Sequence, residues 1–182
     1  PPAFGSGVFF TGEHMKHDWV YDIETYPNVF TIALEHAQSG VRCVWEVSEW
    51  VNESSQIIRM MDYLKATSGR MVGFNNLGFD YPVLHLLYRM RTADAATLYA
   101  KAQAIIASQE LNRFQHQVYP SDRVVEQIDL FKIHHFDNMA RSTSLKLLEF
   151  NMHLASVKDL PFPVGSTLTR DQVVMLKEYN MH

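Results

Sequence analysis

Two acidic side chains lie two residues apart in an otherwise largely apolar segment, Val20-Tyr21-Asp22-Ile23-Glu24-Thr25. Successive side chains of a β-strand point to opposite faces, so Asp22 and Glu24 share one face if this segment is a strand. Two poorly hydrated carboxylates repel each other, and a divalent cation between them relieves that cost. Hard oxygen ligands of this kind suit magnesium or manganese. The pair therefore indicates either a metal site or a solvated strand face.

A third carboxylate ends the segment Gly73-Phe74-Asn75-Asn76-Leu77-Gly78-Phe79-Asp80, which connects a predicted strand to a predicted helix. Asp80 suits the N-cap of that helix, with Pro82 in its first turn. A carboxylate at a helix start can also meet cation-bound water, so the two roles are compatible. Asn75 and Asn76 are either turn residues or amides that hydrogen-bond the sugar or phosphate of a substrate.

The sequence Glu178-Tyr179-Asn180-Met181-His182 lies at the end of the last predicted helix. Thr169 and Gln172 form a capping-box pattern that marks the start of this helix. Tyr179 is either an amphipathic core residue or a hydroxyl that orients or deprotonates an attacking water.

The elements that must position these residues follow in the order three strands, helix, strand, helices, strand, helices. Apolar alternation predicts strands over 19–25, 29–36 and 41–47, joined by short turns as an antiparallel meander. Further strands are predicted over 71–75 and 124–133, and helices are predicted to begin at Ser54, Asp80, Thr92, Ser144 and just after Thr169. This order predicts an α/β fold with a mixed five-stranded sheet flanked by helices.

Two other polar features have structural interpretations. Asp129 falls in the predicted strand 124–133 and is interpreted as an ion-paired or polar-edge residue. His134 and His135 are adjacent, so on a strand they face opposite ways, and no cysteine is near. We therefore do not expect zinc binding at this pair.

Composition limits the class of protein. The chain has 182 residues, 47% of them hydrophobic, and a formal net charge of −4. It has no apolar run near the roughly 20 residues that span a bilayer and no secretory leader, so we expect no membrane partner and a cytoplasmic location. The single cysteine, Cys43, suits a reducing compartment. With a negative net charge, any contact with nucleic acid must be local or mediated by bound cations.

In combination, the three segments resemble the motifs of the DEDD 3′–5′ exonucleases. These are Asp-Ile-Glu-Thr on the first strand, Asn-x-x-x-Phe-Asp before a helix, and Tyr-Asn on the C-terminal helix. The tyrosine resembles the subgroup that has Tyr rather than His in the third motif, which includes proofreading domains of replicative DNA polymerases. The motifs are similar to those of phage family B polymerases, including the protein-primed kind. The resemblance extends from about Val20 to His182 and implies a ribonuclease H-like fold.

The resemblance implies roles for individual residues. Asp22, Glu24 and Asp80 would hold two divalent ions, Mg²⁺ or Mn²⁺, and Tyr179 would position the attacking water. An aspartate is also expected four residues after Tyr179, immediately beyond His182. Residues implied to contact DNA are Thr25, Asn75, Asn76 and Phe79, together with Ser144 and Leu145 in a Thr-Ser-Leu-Lys segment that resembles a grip on the single-stranded primer end.

The function implied by this resemblance is hydrolysis of single-stranded DNA 3′ ends to nucleoside monophosphates by a two-metal mechanism. The activity would serve proofreading, as a domain or partner of a DNA polymerase. Residues 1–17 are expected to be an irregular lead-in, and 18–182 the exonuclease domain, which can continue past 182. Two alternatives stay open: an RNA 3′–5′ exonuclease of the same fold, and a catalytically impaired nucleic-acid-binding or scaffolding module.

Overall fold

The computed structural model describes residues 17–112, 114–134 and 160–181. The predictions for the lead-in before residue 17 and for the helix from Ser144, with Ser144 and Leu145, lie outside these residues. None of the helices in the described ranges has the length and apolar character needed to cross a membrane.

A five-stranded mixed sheet forms the centre of the fold, in the order β3-β2-β1-β4-β5. Its first three strands pair antiparallel, whereas β4 pairs parallel with both β1 and β5. The strands are β1 (Asp18–Tyr26), β2 (Val29–His36), β3 (Arg42–Ser48), β4 (Arg70–Gly73) and β5 (Glu126–Asp129). The predicted fold class is therefore confirmed.

Helices flank the sheet. In the described ranges they are α1 (Ser54–Ala66), α2 (Asp80–Met90), α3 (Ala95–Asn112), the short α4 (Leu130–His134) and α5 (Arg170–Asn180). A short 3₁₀ turn, Pro120–Asp122, lies between α3 and β5. The main core packs α1, α2 and α3 against one face of the sheet.

The central strand β1 has two chemically different faces. Trp19, Tyr21 and Ile23 are buried in the main core. Val20, which is 48% exposed, lies on the other face, as do Asp22 and Glu24 because side chains alternate along a strand. The core thus fixes the orientation of β1, and that orientation turns both carboxylates away from α1, α2 and α3.

Helix α5 packs on the face of the sheet that carries the two carboxylates. It does so through a second apolar cluster that includes Tyr26, Val29, Val173 and Leu176. Its start is fixed as the sequence predicts, because Thr169 and Gln172 form both hydrogen bonds of a capping box. The helix is therefore held at the end of β1 that carries Glu24.

The prediction of one strand over 124–133 is wrong in its second half. The strand ends at Asp129 and α4 begins at Leu130. The Asp129 carboxylate accepts a 3.0 Å hydrogen bond from the amide of Phe131, which satisfies a backbone donor at the start of that helix. Asp129 is buried, at 5% exposure, and its carboxylate binds backbone amides rather than a cation within the described ranges, so the ion-paired interpretation is wrong. It does lie on an edge strand, because β5 is the last strand of the sheet.

Candidate active site

Asp22 and Glu24 project from the middle and the end of β1. Glu24 lies opposite Thr31 of β2, and Thr31 lies opposite Glu46 of β3. Directly opposed residues of antiparallel strands project to the same face, so these three side chains form a polar row across the sheet. Asp22 keeps contact with solvent at the surface of this face, whereas Glu24 is half-buried.

Asp80 reaches this region from the start of α2. The preceding loop turns sharply at Asn75, whose φ of 57° is left-handed and whose carbonyl accepts hydrogen bonds from Gly78 and Phe79. A Cβ at Gly78 would lie 2.5 Å from Asn75 Oδ1, so a larger residue there would displace the Asn75 side chain. The N-cap of α2 is Phe79, and no side chain caps this helix end. The prediction of Asp80 as the N-cap is therefore wrong.

The electrostatics connect the three carboxylates. Burial raises the pKa of Glu24 to about 8, and the charges of Asp22 and Asp80 contribute to the rise. Burial and then the charge of Asp22 raise the pKa of Asp80 well above its usual range. Burial raises the pKa of Asp22 to about 6, opposed by a hydrogen bond from the amide of Ile23. Because that same amide also stabilises the Asp80 anion, the three acids share one neighbourhood.

A divalent cation fits the chemistry of this donor set. Three carboxylates that disfavour one another's ionisation provide the hard oxygen ligands that magnesium and manganese prefer, and a cation would remove their repulsion. However, within 17–112, 114–134 and 160–181 no three or more His, Cys, Asp or Glu side chains are arranged as a metal-binding group. The residues therefore fit such an ion chemically, although their side chains do not form a finished coordination sphere.

Helix α5 covers the end of the polar row. Asn180 Nδ2 donates a 3.1 Å hydrogen bond to Thr31 Oγ1, and Lys177 Nζ lies 3.3 Å from Glu46 Oε2. Tyr179 packs against the second apolar cluster. Burial, then the charges of Glu24 and Tyr179, raise the pKa of Tyr26 to about 12. Tyr179 therefore lies on the Glu24 side of the sheet, as a residue acting there must.

The predicted DNA contacts fall into two groups. Thr25, Asn75 and Phe79 are half-buried, so part of each side chain is accessible to a ligand. Asn76 is fully buried, and its amide nitrogen donates to Gln127 Oε1 at 3.1 Å and to the carbonyl of Ile128 at 3.2 Å. In this structure the Asn76 amide nitrogen thus joins the loop to β5.

Asp129 is a residue of the site that sequence reasoning missed. Its two carboxylate oxygens accept hydrogen bonds from the amides of Asn75, at 2.9 Å, and Leu77, at 3.3 Å. These bonds tie the loop that precedes Asp80 to the end of β5. The available signal was an acidic residue within a largely apolar predicted strand. Because that strand was predicted to continue to residue 133, the position of Asp129 at a strand end could not be seen.

The sheet order and the helices on both of its faces define an α/β protein, and this order is consistent with a ribonuclease H-like fold. No protein-family model matches the chain, and no curated protein matches it. Among solved structures, the family B DNA polymerase from the hyperthermophilic archaeon Pyrobaculum calidifontis is similar, with 20% identity and a TM-score of 0.43. The match covers 76% of this chain but only 18% of that polymerase chain.

Proposed function

We propose that this chain is a 3′–5′ exonuclease domain of the DEDD type, tyrosine subgroup, acting on single-stranded DNA ends. The supporting observation is the electrostatic coupling of Asp22, Glu24 and Asp80, which come from two separate elements. Carboxylates whose charges raise the pKa of their neighbours stabilise neither the sheet nor the helix, and such clusters are typical of functional sites. Proofreading, as a domain or partner of a DNA polymerase, is the biological role that we infer.

In this proposal the three acids together bind the divalent ions. Asp22 and Glu24 bind from β1, and Asp80 binds from α2, so two divalent ions would be held between the elements. Such ions, when bound, neutralise the phosphodiester charge and lower the pKa of water. The fold fixes the positions of these carboxylates, because the main core orients β1 and Asp129 anchors the loop before Asp80.

Tyr179 would act through its hydroxyl group. The capping box and the apolar cluster hold α5 in place, so the ring is positioned before substrate arrives. A phenol hydroxyl both donates and accepts hydrogen bonds. Tyr179 would therefore orient the attacking water.

The accessible part of the site suits an unpaired strand end. Phe79 packs against the core yet stays half-exposed, so it offers an aromatic surface on which a terminal base can stack. Stacking of this kind tolerates any base. Asn75 would supply hydrogen-bonding groups at the sugar and phosphate. The side chain of Thr25 lies on the face of β1 opposite Glu24, so a contact from Thr25 would come from its backbone. A frayed mismatch would reach the site more easily than a paired end, because less pairing must be broken.

The test measures nucleotide release from 5′-labelled single-stranded DNA with Mg²⁺ or Mn²⁺. Asp22→Asn and Glu24→Gln should each abolish release, because each removes a ligand charge while keeping the shape of the side chain. Asp171→Asn, an exposed residue of α5, is the matched control and should keep full activity. Equal activity in wild type and both site variants would refute the proposal. Parallel reactions with RNA oligonucleotides test the RNA alternative, since the sugar pocket must detect the 2′-OH.

A second candidate is a nucleic-acid-binding module with impaired catalysis. It is favoured by the lack, in the described ranges, of an arranged group of three metal-binding side chains. This candidate predicts that wild type binds single-stranded DNA but releases no nucleotide with either ion. It also predicts that Glu24→Gln leaves DNA affinity unchanged when Mg²⁺ or Mn²⁺ is present.

A further inference from the structure

A second cleft, separate from the acidic site, lies between α2, α3 and the segment before β5. Its volume is ≈ 250 Å³, and none of Asp22, Glu24 and Asp80 is among its lining residues. Residues of the lining that bear on its chemistry are His85, Arg89, Lys101, His116 and Asp122. The cleft thus gathers cationic and imidazole groups in a chain whose net charge is −4.

Lys101 is hydrogen-bonded to a histidine of the same cleft. It is half-buried, and its Nζ lies 3.0 Å from His116 Nδ1, so the ammonium donates to a neutral imidazole. The ion pairs within the described ranges involve neither Lys101 nor Arg89. Two positive charges therefore line the cleft, and neither has a carboxylate in ion-pair contact among the residues that the structure describes.

The pKa values of the two histidines in the lining are lowered in part by the neighbouring positive charges. Burial chiefly lowers the pKa of His85, and the charges of Arg89 and Lys101 lower it further. Burial chiefly lowers the pKa of His116, and Lys101 again contributes. The one acidic group of the lining, Asp122, is exposed, and its carbonyl lies 3.1 Å from His85 Nε2. The positive charges of α2 and α3 therefore converge on the same space.

We propose that this cleft binds a phosphate group, as inorganic phosphate or as the monoester of a nucleotide. Guanidinium and ammonium groups are the side chains that bind phosphate oxygens through charge-assisted hydrogen bonds. The volume is below the roughly 300–1,000 Å³ of pockets for drug-sized ligands, which suits a compact anion. Because the net charge of the chain is −4, affinity for phosphate at this site depends on the local pair of cations rather than on the overall charge.

The test is calorimetric titration of the whole chain with inorganic phosphate, with dAMP and with deoxyadenosine. EDTA is present throughout, so that no divalent ion bridges phosphate to the acidic site. Arg89→Gln and Lys101→Gln remove the charges, and Arg89→Lys and Lys101→Arg keep them. Arg59→Gln, an exposed change on α1, is the matched control. Arg89 is itself exposed, so its substitution leaves the core intact and decides the question even if Lys101→Gln fails to fold.

The proposal expects saturable binding of phosphate or dAMP, weakened by about tenfold in Arg89→Gln, since charge-assisted bonds are strong. Binding should persist in Arg89→Lys and in Arg59→Gln. Binding of dAMP alone assigns the site to nucleotides, and equal binding of both ligands assigns it to the phosphate group. Three results would overturn the proposal. The first is that neither phosphate nor dAMP binds, and the second is that Arg89→Gln binds them as tightly as wild type. The third is that deoxyadenosine binds as tightly as dAMP.

Discussion

Replacing Glu24 by glutamine should stabilise the protein in the absence of divalent ions. Burial and the charges of Asp22 and Asp80 raise the pKa of Glu24 from 4.5 to about 8. Glutamine keeps the size and hydrogen-bonding shape of the side chain but carries no charge. The substitution therefore removes the repulsion without removing the packing.

The magnitude follows from the difference in protonation between the folded and unfolded chains. At pH 7 an unfolded glutamate is ionised, whereas folded Glu24 is mostly protonated, and this difference costs about 3 kcal/mol of stability. Because Glu24 is half-buried, solvent screens part of this cost, and we expect glutamine to recover about 1–3 kcal/mol. For a chain of this size that is a rise in Tm of roughly 3–10 °C.

The raised pKa of Glu24 also determines how the free energy of unfolding changes with pH. Since folding raises the pKa of Glu24, its contribution favours the folded state fully below pH 4.5 and is lost as the pH rises through about 8. Asp22 behaves in the same way between its usual value of 3.8 and about 6. Glu24→Gln should therefore flatten the stability curve most between pH 6 and 8, and should reduce its slope between pH 4.5 and 6, where Asp22 contributes as well.

The assay is urea denaturation followed by tryptophan fluorescence, in EDTA, across this pH range. Glu49→Gln, a change at an exposed position after β3, is the matched control and should follow wild type. Added Mn²⁺ should stabilise wild type more than Glu24→Gln, because a ligand that binds only the folded state stabilises it. If Glu24→Gln is no more stable than wild type at pH 8 and their curves run parallel, the reasoning that these acids repel each other is wrong.

Three further predictions concern the supports of the site. Asp129→Ala should lower the free energy of unfolding by about 2–4 kcal/mol in urea, because it leaves buried backbone amides without an acceptor; a loss no larger than that of Asp171→Ala would contradict this. Thr169→Ala should cost about 1 kcal/mol by removing the helix cap, whereas Thr169→Ser should keep it in the same denaturation assay. Tyr179→Phe should lower kcat for single-stranded DNA by about 10²-fold with little change in KM; an unchanged kcat would remove Tyr179 from the proposed mechanism.

The positions of the first three strands along the chain could be predicted, because each segment repeats a simple pattern of apolar and polar residues. Residues 19–25, 29–36 and 41–47 alternate apolar and polar or pack in short apolar runs, and each is followed by a turn. The structure places strands at nearly the same positions. The capping box at Thr169 was likewise readable, since it depends on residues only three apart. Local signals of this kind act within one element and need no knowledge of the rest of the chain.

Two predictions about carboxylates at the ends of elements failed. The alternation over 124–133 indicates a long strand, but the Asp129 side chain binds the amide of Phe131 and starts α4 instead. Asp80 has the residue type of a helix cap, yet it occupies the first turn inside α2 while Phe79 takes the cap position. In both cases a carboxylate had more than one available backbone partner, and only the surrounding fold selected among them.

The sequence by itself determined that Asp22 and Glu24 share a face, because the period of a strand is two residues. It could not determine which face, or whether Asp80 would lie beside them. That depended on the packing of β1 against α1, α2 and α3 and on the Asp129 contacts that hold the loop before α2. Such contacts join residues that are far apart in the chain, and their free energy depends on a burial that no short segment has before the whole domain folds.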